Sequence, residues 1–368
     1  MGTRFIGLLV VVGLVLAACA PAASPAAPGK VLKISYASAA DSIGVFRTVG
    51  DGMVSGAKTA GVEVRRYDNK LDGAAALANA DLMIQDRPDI IIDWNAVADV
   101  GPALGKKFAD AKIPCLAVNQ AIPGCAWFNL SNKKMGVDAA NILVPAAKQK
   151  GWTSADTTIM MVVASPNGVE VNDGPRYFYI TIAQQMPGYP TMTPEQLNPQ
   201  TTVIGNKQGI QFECESTVEG AYKNAKNILP LVPASNNVLL YGSDSDCAAG
   251  ALRALTEAGR AQKTLTCGLG PTPDGLTSLR TNPSWLCEGS AFLDSWPEYI
   301  IAMAVAITSG VKPPALTPCP QVMLTKSTVD TYYSGATVKL LPPLAEDAKY
   351  LAKTGVLQKF GNVEGLGQ

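Results

Sequence analysis

Short apolar segments alternate with longer segments of helical periodicity along this chain, and this alternation constrains its fold more than any other feature. The first five predicted elements are a strand at 31–36, a helix at about 45–60, a strand at 62–67, a helix at about 73–85 and a strand at 90–93. Ile90, Ile91 and Ile92 form a continuous apolar run, which is typical of a strand covered on both faces of a parallel sheet. The β-α-β-α-β order therefore predicts a doubly wound α/β sheet.

The same order restarts after Asn132. The predicted elements there are helices at 135–150, 176–185, 218–229 and 248–258, and strands at 158–163, 209–214, 238–241 and 264–268. The Pro-rich stretch at 187–202 is predicted to be a surface loop. A chain of 368 residues exceeds what one core usually organises. We therefore predict two doubly wound lobes of similar plan.

The first twenty residues resemble a bacterial lipoprotein signal peptide. Arg4 supplies a positive start, 5–15 is an apolar run too short to span a bilayer comfortably, and small residues precede Cys19. The resemblance implies a signal peptide at 1–18, a lipid on Cys19 and an Ala/Pro/Ser tether at 19–30. An ordinary secretory signal or a short membrane anchor are the alternatives.

Charge and composition exclude several classes of function. Thirty basic residues balance thirty acidic ones without a Lys/Arg cluster, which argues against a nucleic-acid partner. Histidine is absent, so the commonest general base and zinc ligand are missing. The sequence has no G-x-S-x-G motif, no P-loop and no G-x-G-x-x-G motif opening a helix after the first strand. We expect no catalytic residues, no cofactor and no metal.

Eight cysteines suggest a compartment in which disulfides persist. With Cys19 assigned to lipid, seven remain, so at least one is unpaired within the chain. Cys115 and Cys125 are the favoured pair, because they lie near the starts of two successive predicted strands. The other pairings are left open. A zinc site is the competing interpretation, but no C-x-x-C spacing occurs.

Polar and aromatic residues follow the predicted strands, where open α/β sheets bind ligands. These positions are 37–42, 93–95, 119–120, 243–244 and 269–270. Amide, hydroxyl, carboxylate and aromatic groups suit a small polar molecule and offer little for catalysis. The alternative is that these residues cap the following helices, which is the better explanation for Ser42 and Asp72. Trp94 and Asn95 have no such task.

Several motifs carry a resemblance to one family. The motifs are Asp51-Gly52, Ile90–Asp93, Ile113-Pro114, Val118-Asn119, Asp244–Asp246, Gly250–Leu255, Gly268 and Thr272–Gly275. Together they resemble the type I periplasmic binding proteins, close to the ribose-binding and related sugar-binding proteins of ABC importers. The resemblance implies a first lobe of 31–131 with 296–323 and a second of 132–295 with 324–368. Three crossings would join the lobes, and a ligand in the cleft would close them by hinge motion.

The resemblance and the strand-end positions together define a candidate ligand site. Its members are Asp41, Ser42, Phe46, Asp93, Trp94, Asn95, Asn119, Gln120, Asn172, Arg176, Asp244, Gly270, Asp294, Ser295 and Trp296. By the resemblance, Phe46 stacks on a sugar ring. Asn119, Gln120 and Gly270 replace charged residues of sugar binders, so ribose itself is not favoured. An acidic, aromatic cleft suits a neutral polyol or sugar, or a cationic solute.

These observations predict a lipid-anchored, monomeric substrate-binding protein on the outer face of a bacterial membrane. It would capture a small polar solute, first a sugar or sugar-like compound, and deliver it to an ABC permease. An amine-bearing or aromatic solute is the alternative ligand. A sensor lipoprotein that signals to a membrane receptor is the alternative role.

Overall fold

A computed structural model describes residues 31–165 and 169–366 of the protein, which build two large sheets and a small two-stranded one. The predicted signal peptide at 1–18, Cys19 and the tether at 19–30 lie outside the described residues. None of the helices in these two ranges has both the length and the apolarity that a bilayer crossing requires.

The first part of the chain alternates strands and helices as predicted. Its elements are β1 (Lys33–Ser38), α1 (Gly44–Ala60), β2 (Glu63–Asp68), α2 (Gly73–Gln85), β3 (Ile90–Asp93), α3 (Gly101–Asp110), β4 (Cys115–Val118) and β5 (Ala126–Asn129). Ile90 and Ile92 pack towards the α1 side of this sheet, whereas Ile91 packs with Leu104 and Phe108 of α3 on the other. The continuous apolar run is therefore covered on both faces.

The second part repeats the plan and adds short edge strands. Its elements are α4 (Asn132–Gln149), β6 (Thr157–Val163), α5 (Val169–Gln185), β7 (Val203–Ile204), β8 (Gly209–Glu213), α6 (Val218–Ile228), β9 (Asn237–Gly242), α7 (Ser245–Glu257), β10 (Thr264–Leu269), α8 (Pro273–Thr281), β11 (Trp285–Ser290), α9 (Trp296–Thr308), β12 (Thr317–Pro318), β13 (Val322–Thr325), α10 (Val329–Tyr332), β14 (Tyr333–Ser334) and β15 (Thr337–Val338). Helix α5 begins before Pro175, which it accommodates internally, and so starts earlier than predicted.

The two sheets have the strand orders of doubly wound folds. The first is β12-β5-β4-β3-β1-β2, and the second is β13-β11-β10-β9-β6-β8-β7. Strand pairs are parallel in both sheets, except that the edge strands β13 and β7 run antiparallel to their neighbours. The predicted α/β class is confirmed. Strand β7 was not predicted, because two residues carry no measurable periodicity.

Side chains at helix starts explain several boundaries. Asp72 accepts a hydrogen bond from the Ala75 backbone N–H at 2.7 Å and so caps α2, as expected. Thr217 and Thr272 cap α6 and α8 in the same way. Helix α1 ends where Gly61 takes a left-handed φ of 79°, which glycine adopts without steric cost.

The chain passes between the sheets after β5, after β11 and after β12. It then returns once more, because the 3-10 segment Glu346–Thr354 packs against α9 and β12. The hydroxyls of Tyr350 and Thr317 lie 2.7 Å apart, and Leu351 is buried there. The predicted division placed 324–368 in the second lobe, whereas this segment packs with elements assigned to the first.

Two disulfides are present among the described cysteines. Cys115 begins β4 and Cys125 directly precedes the neighbouring β5, and their bond confirms the predicted pair. A second disulfide, which was not predicted, joins Cys214 to Cys247. The other described cysteines, Cys267, Cys287 and Cys319, are buried thiols.

Candidate functional site

Buried polar atoms cluster at the carboxyl edge of the first sheet. Asp93 ends β3, Trp94 follows it, and Asn129 ends β5. Within the described ranges, no hydrogen-bond partner is found for Asp93 Oδ2, Trp94 Nε1 or Asn129 Nδ2, although all three atoms are buried. Buried polar groups nearly always have partners, so this edge offers one acceptor and two donors to an incoming molecule.

The Asp93 carboxyl is held from one side only. Its Oδ1 accepts a hydrogen bond from Asn69 Nδ2 at 2.9 Å, and Asn79 Nδ2 in turn donates to Asn69 Oδ1 at 2.9 Å. Burial raises the pKa of Asp93 to about 7, and the Asn69 hydrogen bond only partly opposes this. Near neutral pH the carboxyl therefore exists in both forms and can accept or donate a hydrogen bond.

Four aromatic rings form a row beside this carboxyl. Phe46 meets Trp94 edge-on at 4.9 Å between ring centroids, Trp94 stacks on Trp296 at 5.4 Å, and Trp296 meets Phe128 edge-on at 5.2 Å. Trp296 Nε1 donates to the Ala291 carbonyl, which ties the row to the second crossing. Only Phe46 is half-buried; the others are buried. Phe46 is therefore the ring that a ligand can reach.

A cavity of about 260 Å³ opens at the crossing between the sheets. Val45 of α1 lines it on one side, and Gly270 lines it after β10 of the second sheet. Asp294 and Tyr333 complete the wall from the crossing segments. The structure thus brings Gly270 and Asp294 of the predicted set together. The volume is close to the lower end of the range for small-molecule sites.

Asp41 and Ser42 lie in the loop between β1 and α1. The Arg66 guanidinium of β2 binds the Asp41 carboxylate and also Asp51 at 2.6 Å. A Cβ at Gly50 would lie 2.2 Å from Arg66 Cζ, so glycine is what lets Arg66 lie across α1. The charge of Asp41 is therefore already paired with Arg66, while Ser42 is exposed. Sequence reasoning did not identify Arg66.

The predicted amides after β3 and β4 hold the backbone. Asn95 Nδ2 donates to the Val97 carbonyl at 2.6 Å and Asn95 Oδ1 accepts from the Val97 N–H, so Asn95 holds its own loop and caps no helix. Gln120 Nε2 donates to the Ala96 carbonyl at 3.2 Å. Asn119 takes a left-handed φ of 66°, and its carbonyl accepts from Trp127 Nε1. These residues shape the loops beneath the site.

In the second sheet, Asn172 and Arg176 also make structural contacts. Asn172 bonds both the N–H and the carbonyl of Ala164 at 3.2 Å, which clamps α5 to the end of β6. Arg176 is buried, pairs with Asp173 at 3.2 Å and donates to the Leu197 carbonyl at 2.9 Å. Arg176 thus anchors the predicted Pro-rich loop, a role that its position in sequence did not indicate.

Asp244 lies beside the second disulfide. Its Oδ1 accepts from the Cys247 N–H at 2.6 Å and caps α7, and burial raises the pKa of this carboxyl. The Cys214 and Cys247 sulfurs and an Asp244 oxygen lie within 4.8 Å of one another. Because the two sulfurs are covalently joined, they are not available as thiolate ligands for a metal.

The second crossing approaches the site through a left-handed residue. Phe292 has a φ of 47° and stacks on Tyr333 at 5.5 Å between ring centroids. Its carbonyl accepts from the Ser295 N–H, and buried Ser295 precedes α9. The stacking on Tyr333 supports a backbone conformation that is uncommon for a bulky residue.

Glu288 in β11 is a buried acid that sequence reasoning missed. Its Oε2 accepts from Trp285 Nε1 at 2.9 Å, and its Oε1 is bonded to the Ser245 hydroxyl. Burial raises the pKa of Glu288 to about 8. Glu288 is the one charged residue in the segment 285–290, and this isolation could have marked it as a buried acid.

Residues 34–288 match the sequence model of a family described as "Periplasmic binding protein domain". No curated protein sequence matches the chain significantly.

Solved structures share the fold at low sequence identity. An ABC transporter solute-binding protein from Mycobacterium smegmatis with bound glycerol is 16% identical, with a TM-score of 0.64 over 86% of this chain and 100% of that one. A periplasmic ribose ABC transporter protein from Conexibacter woesei is 15% identical, with a TM-score of 0.65 over 82% and 94%. A 5-methylthioribose transporter solute-binding protein from Thermotoga lettingae is 17% identical, with a TM-score of 0.60 over 90% and 93%.

Proposed function

The chain belongs to the periplasmic binding protein domain family, and from that premise we propose that it captures a small polar solute, a sugar or sugar-like compound, between its two sheets. The observation that carries the proposal is the set of buried, unpartnered atoms at the carboxyl edge of the first sheet. Within the described residues, Asp93 Oδ2, Trp94 Nε1 and Asn129 Nδ2 have no partner of their own. A bound molecule would supply those partners.

The chemistry of these groups fits a polyhydroxylated ligand. A hydroxyl both donates and accepts, so sugar hydroxyls can donate to Asp93 and accept from Trp94 or Asn129. The half-buried ring of Phe46 offers an apolar face for the C–H side of a sugar ring. The cavity at Gly270 and Asp294 would add contacts from the second sheet and the crossing. A ligand that touches both sides favours the closed form by its differential affinity.

The names of similar structures support the same class of ligand. Three similar proteins are named for, or were solved with, glycerol, ribose or 5-methylthioribose, all of which carry hydroxyl groups. On this proposal the chain delivers its solute to the permease of an ABC importer and acts as a monomer. The alternative role, a sensor lipoprotein that presents its closed form to a membrane receptor, would use the same site.

An amine-bearing or aromatic solute is the second candidate ligand. Asp93 beside the aromatic row favours it, because an ionised carboxylate and a ring face both attract a cation. Two of the chain's cations already have acidic partners: Arg66 pairs with Asp41, and Arg176 pairs with Asp173. A positively charged solute would therefore meet little repulsion from them.

We also propose that the protein lies outside the cytoplasm, on the outer face of a bacterial membrane, held by a lipid on Cys19. The family description supports the compartment. The two disulfides are consistent with it, since such bonds persist in oxidising surroundings. The predicted lobe division remains part of this proposal, except that 346–354 packs on elements of the first lobe. Metabolic labelling with a fatty acid, compared between the wild-type chain and Cys19→Ser, tests the anchor.

A thermal-shift screen of the chain without its predicted signal peptide and lipid tests the ligand. Binding to the folded state alone raises Tm by mass action. Glycerol, D-ribose and myo-inositol represent the first class, and choline and benzylamine the second. A Tm increase with the first group that calorimetry confirms supports the sugar proposal. An increase with amines alone replaces it with the second candidate, and no increase with either group contradicts both.

A further inference from the structure

Glu288 lies at the centre of a hydrogen-bond network under the second-sheet side of the cleft. The residue is fully buried in β11. A Cβ at Gly268 would lie 2.4 Å from Glu288 Oε2, so the neighbouring strand leaves room for the carboxyl by having glycine there. Trp285 Nε1 donates a hydrogen bond to Glu288 Oε2, and the Ser245 hydroxyl is hydrogen-bonded to Glu288 Oε1. The site is therefore built around the acid.

The Ser245 hydroxyl has three neighbours but only one proton. It lies against Glu288 Oε1, lies 3.2 Å from the Gly270 carbonyl, and accepts from the Thr272 N–H at 3.4 Å. If Glu288 is ionised, Ser245 can donate either to the carboxylate or to Gly270, and the other acceptor loses its bond. If Glu288 is neutral, it donates to Ser245, which then donates to Gly270 and accepts from Thr272. Only the neutral acid satisfies all of these groups.

These bonds set the position of a loop that lines the cavity. Gly270 and Pro271 form part of the cavity wall between the sheets. Gly270 has a left-handed φ of 71°, and its N–H donates to the Gly289 carbonyl at 2.6 Å. Thr272 caps α8 directly afterwards. Ser245 contacts the Gly270 carbonyl and the Thr272 N–H, which belong to the two peptide units on either side of Pro271. A change in these hydrogen bonds therefore moves the backbone that lines the cavity.

We propose that Glu288 is a positioning residue that, by donating a proton in a hydrogen bond to Ser245, holds the loop of Gly270, Pro271 and Thr272 against the cleft. The inference deepens the proposed function, because it rests on this cavity receiving the solute. Its consequence is that the affinity for the solute falls as Glu288 ionises.

The surroundings of Glu288 favour its protonated form. Burial raises its pKa to about 8, and the carboxylates of Asp244, which caps α7, and Asp246, in its first turn, act in the same direction, while hydrogen bonds from Ser245 and Trp285 oppose them. Glu288 therefore holds its proton more strongly than an exposed glutamate does. The other titratable groups around it are Asp138 of α4, Tyr241 of β9, Cys267 of β10, Cys287 of β11 and Tyr333.

The first test needs no ligand. Hydrogen exchange of the Thr272 and Gly270 amides, corrected for intrinsic rates, is compared at about pH 6.5 and pH 9 in wild type, Glu288→Gln and Glu288→Ala. Glutamine keeps a donor and an acceptor but carries no charge. Both amides keep their own acceptors when Glu288 ionises, but the loop loses the hydrogen bond from Ser245 to the Gly270 carbonyl. We therefore expect wild-type protection to fall about fivefold at the higher pH as the loop loosens, and protection in Glu288→Gln to stay constant. In difference infrared spectra, a carboxylic acid band should titrate and be absent from Glu288→Gln.

A matched control is Glu298→Gln, which replaces a half-buried acid of α9 whose pKa is also raised, to about 7. Protection of Thr272 should keep its wild-type pH dependence in this variant. Wild-type protection that does not change with pH would overturn the proposal. Protection in Glu288→Gln that matches Glu288→Ala, or varies with pH as in wild type, would do the same. If Glu288→Ala fails to fold, the comparison of wild type with Glu288→Gln still decides.

The second test measures binding of D-ribose and glycerol at the same two pH values by calorimetry. Because Asp93 titrates in both proteins, the informative quantity is the difference between them: affinity should fall about fivefold more in wild type than in Glu288→Gln. If neither probe binds while the exchange result holds, the proposed sugar ligand fails and the role of Glu288 in the loop stands. If the affinity changes with pH by the same factor in wild type and in Glu288→Gln, the link between Glu288 and the cleft is wrong.

Discussion

The indole rings of Trp94 and Trp296 stack at 5.4 Å between their centroids, although one follows β3 and the other begins α9 after the chain has visited the second sheet. Each ring is 3% exposed. The contact thus joins the edge of the candidate site to the second crossing. Replacing either ring should affect both stability and binding.

Trp296→Ala is expected to lower the free energy of unfolding by about 3–5 kcal/mol, because it opens a cavity between Trp94 and Phe128. Trp296→Phe keeps part of the packing and should cost less. Urea denaturation measures both. Equal stability of Trp296→Ala and wild type would contradict the packing described for this row.

Phe46→Ala should weaken binding of the solute found in the thermal screen more than about tenfold, or 1.4 kcal/mol. The reason is the loss of the one half-buried ring of the aromatic row. Val54→Ala is a suitable control, since Val54 lies on the same helix and is 40% exposed. Unchanged affinity in Phe46→Ala would remove Phe46 from the site.

Asp93→Asn separates the two ligand classes. Asparagine keeps an acceptor for Asn69 and removes the charge. We expect the affinity for a neutral sugar to change less than about tenfold, and the affinity for an amine to fall about a hundredfold, since only the amine loses an ion pair. Calorimetry with one ligand of each class gives the comparison. A large loss for a neutral sugar would contradict this assignment of roles.

Gly136→Ala should destabilise the protein by about 2–3 kcal/mol, despite the higher helix propensity of alanine. A Cβ there would lie 2.1 Å from the Gly174 carbonyl oxygen. Because that oxygen belongs to the backbone of α5, it cannot rotate away as the end of a flexible side chain could. Gly44→Ala is the control, because no atom lies within 4 Å of its added Cβ. Thermal unfolding of the two variants tests whether α4 and α5 touch through their backbones.

The free energy of unfolding should fall as pH rises from about 4 to 8. Asp93, Glu288 and Glu298 have pKa values raised to about 7, 8 and 7 from 3.8, 4.5 and 4.5. The folded state then binds more protons than the unfolded state between those values, so stability is fully present at the acid end and is lost as pH rises. Urea unfolding at about pH 5 and pH 8 measures the slope, which Glu298→Gln should reduce. A slope of the opposite sign would show that groups with lowered pKa values, such as Asp156, dominate.

Local signals were enough to predict most inner strands of the two large sheets and the edge that carries the polar cluster, but not β11, β12 or β13. The run of Ile90 to Ile92 required cover on both faces, and the register of β3 then placed Asp93 at the carboxyl edge. Phe46 and Trp94 are in ring contact, and Asp93 directly precedes Trp94. The site assignment as a whole stays a prediction, because binding is what tests it.

Residues whose partners lie far along the chain could not be predicted in the same way. The sequence suggests Arg176 as a ligand-binding cation. In the structure its guanidinium donates a hydrogen bond to the Leu197 carbonyl and so holds the loop that contains Leu197. Glu288 was overlooked because its partner Ser245 comes from another strand-helix unit. The pairing of Cys214 with Cys247 depends on how α7 meets the end of β8, which periodicity does not encode.

The packing of Glu346–Thr354 against α9 has a consequence for biosynthesis. A nascent chain cannot complete the layer around β1 to β5 until α9, β12 and this terminal segment have all left the ribosome. The second sheet likewise waits for β13. Contacts between such distant residues slow folding. Both halves of the molecule therefore reach their native form only after synthesis is nearly finished, and a truncation before residue 346 would leave α9 with an uncovered apolar face.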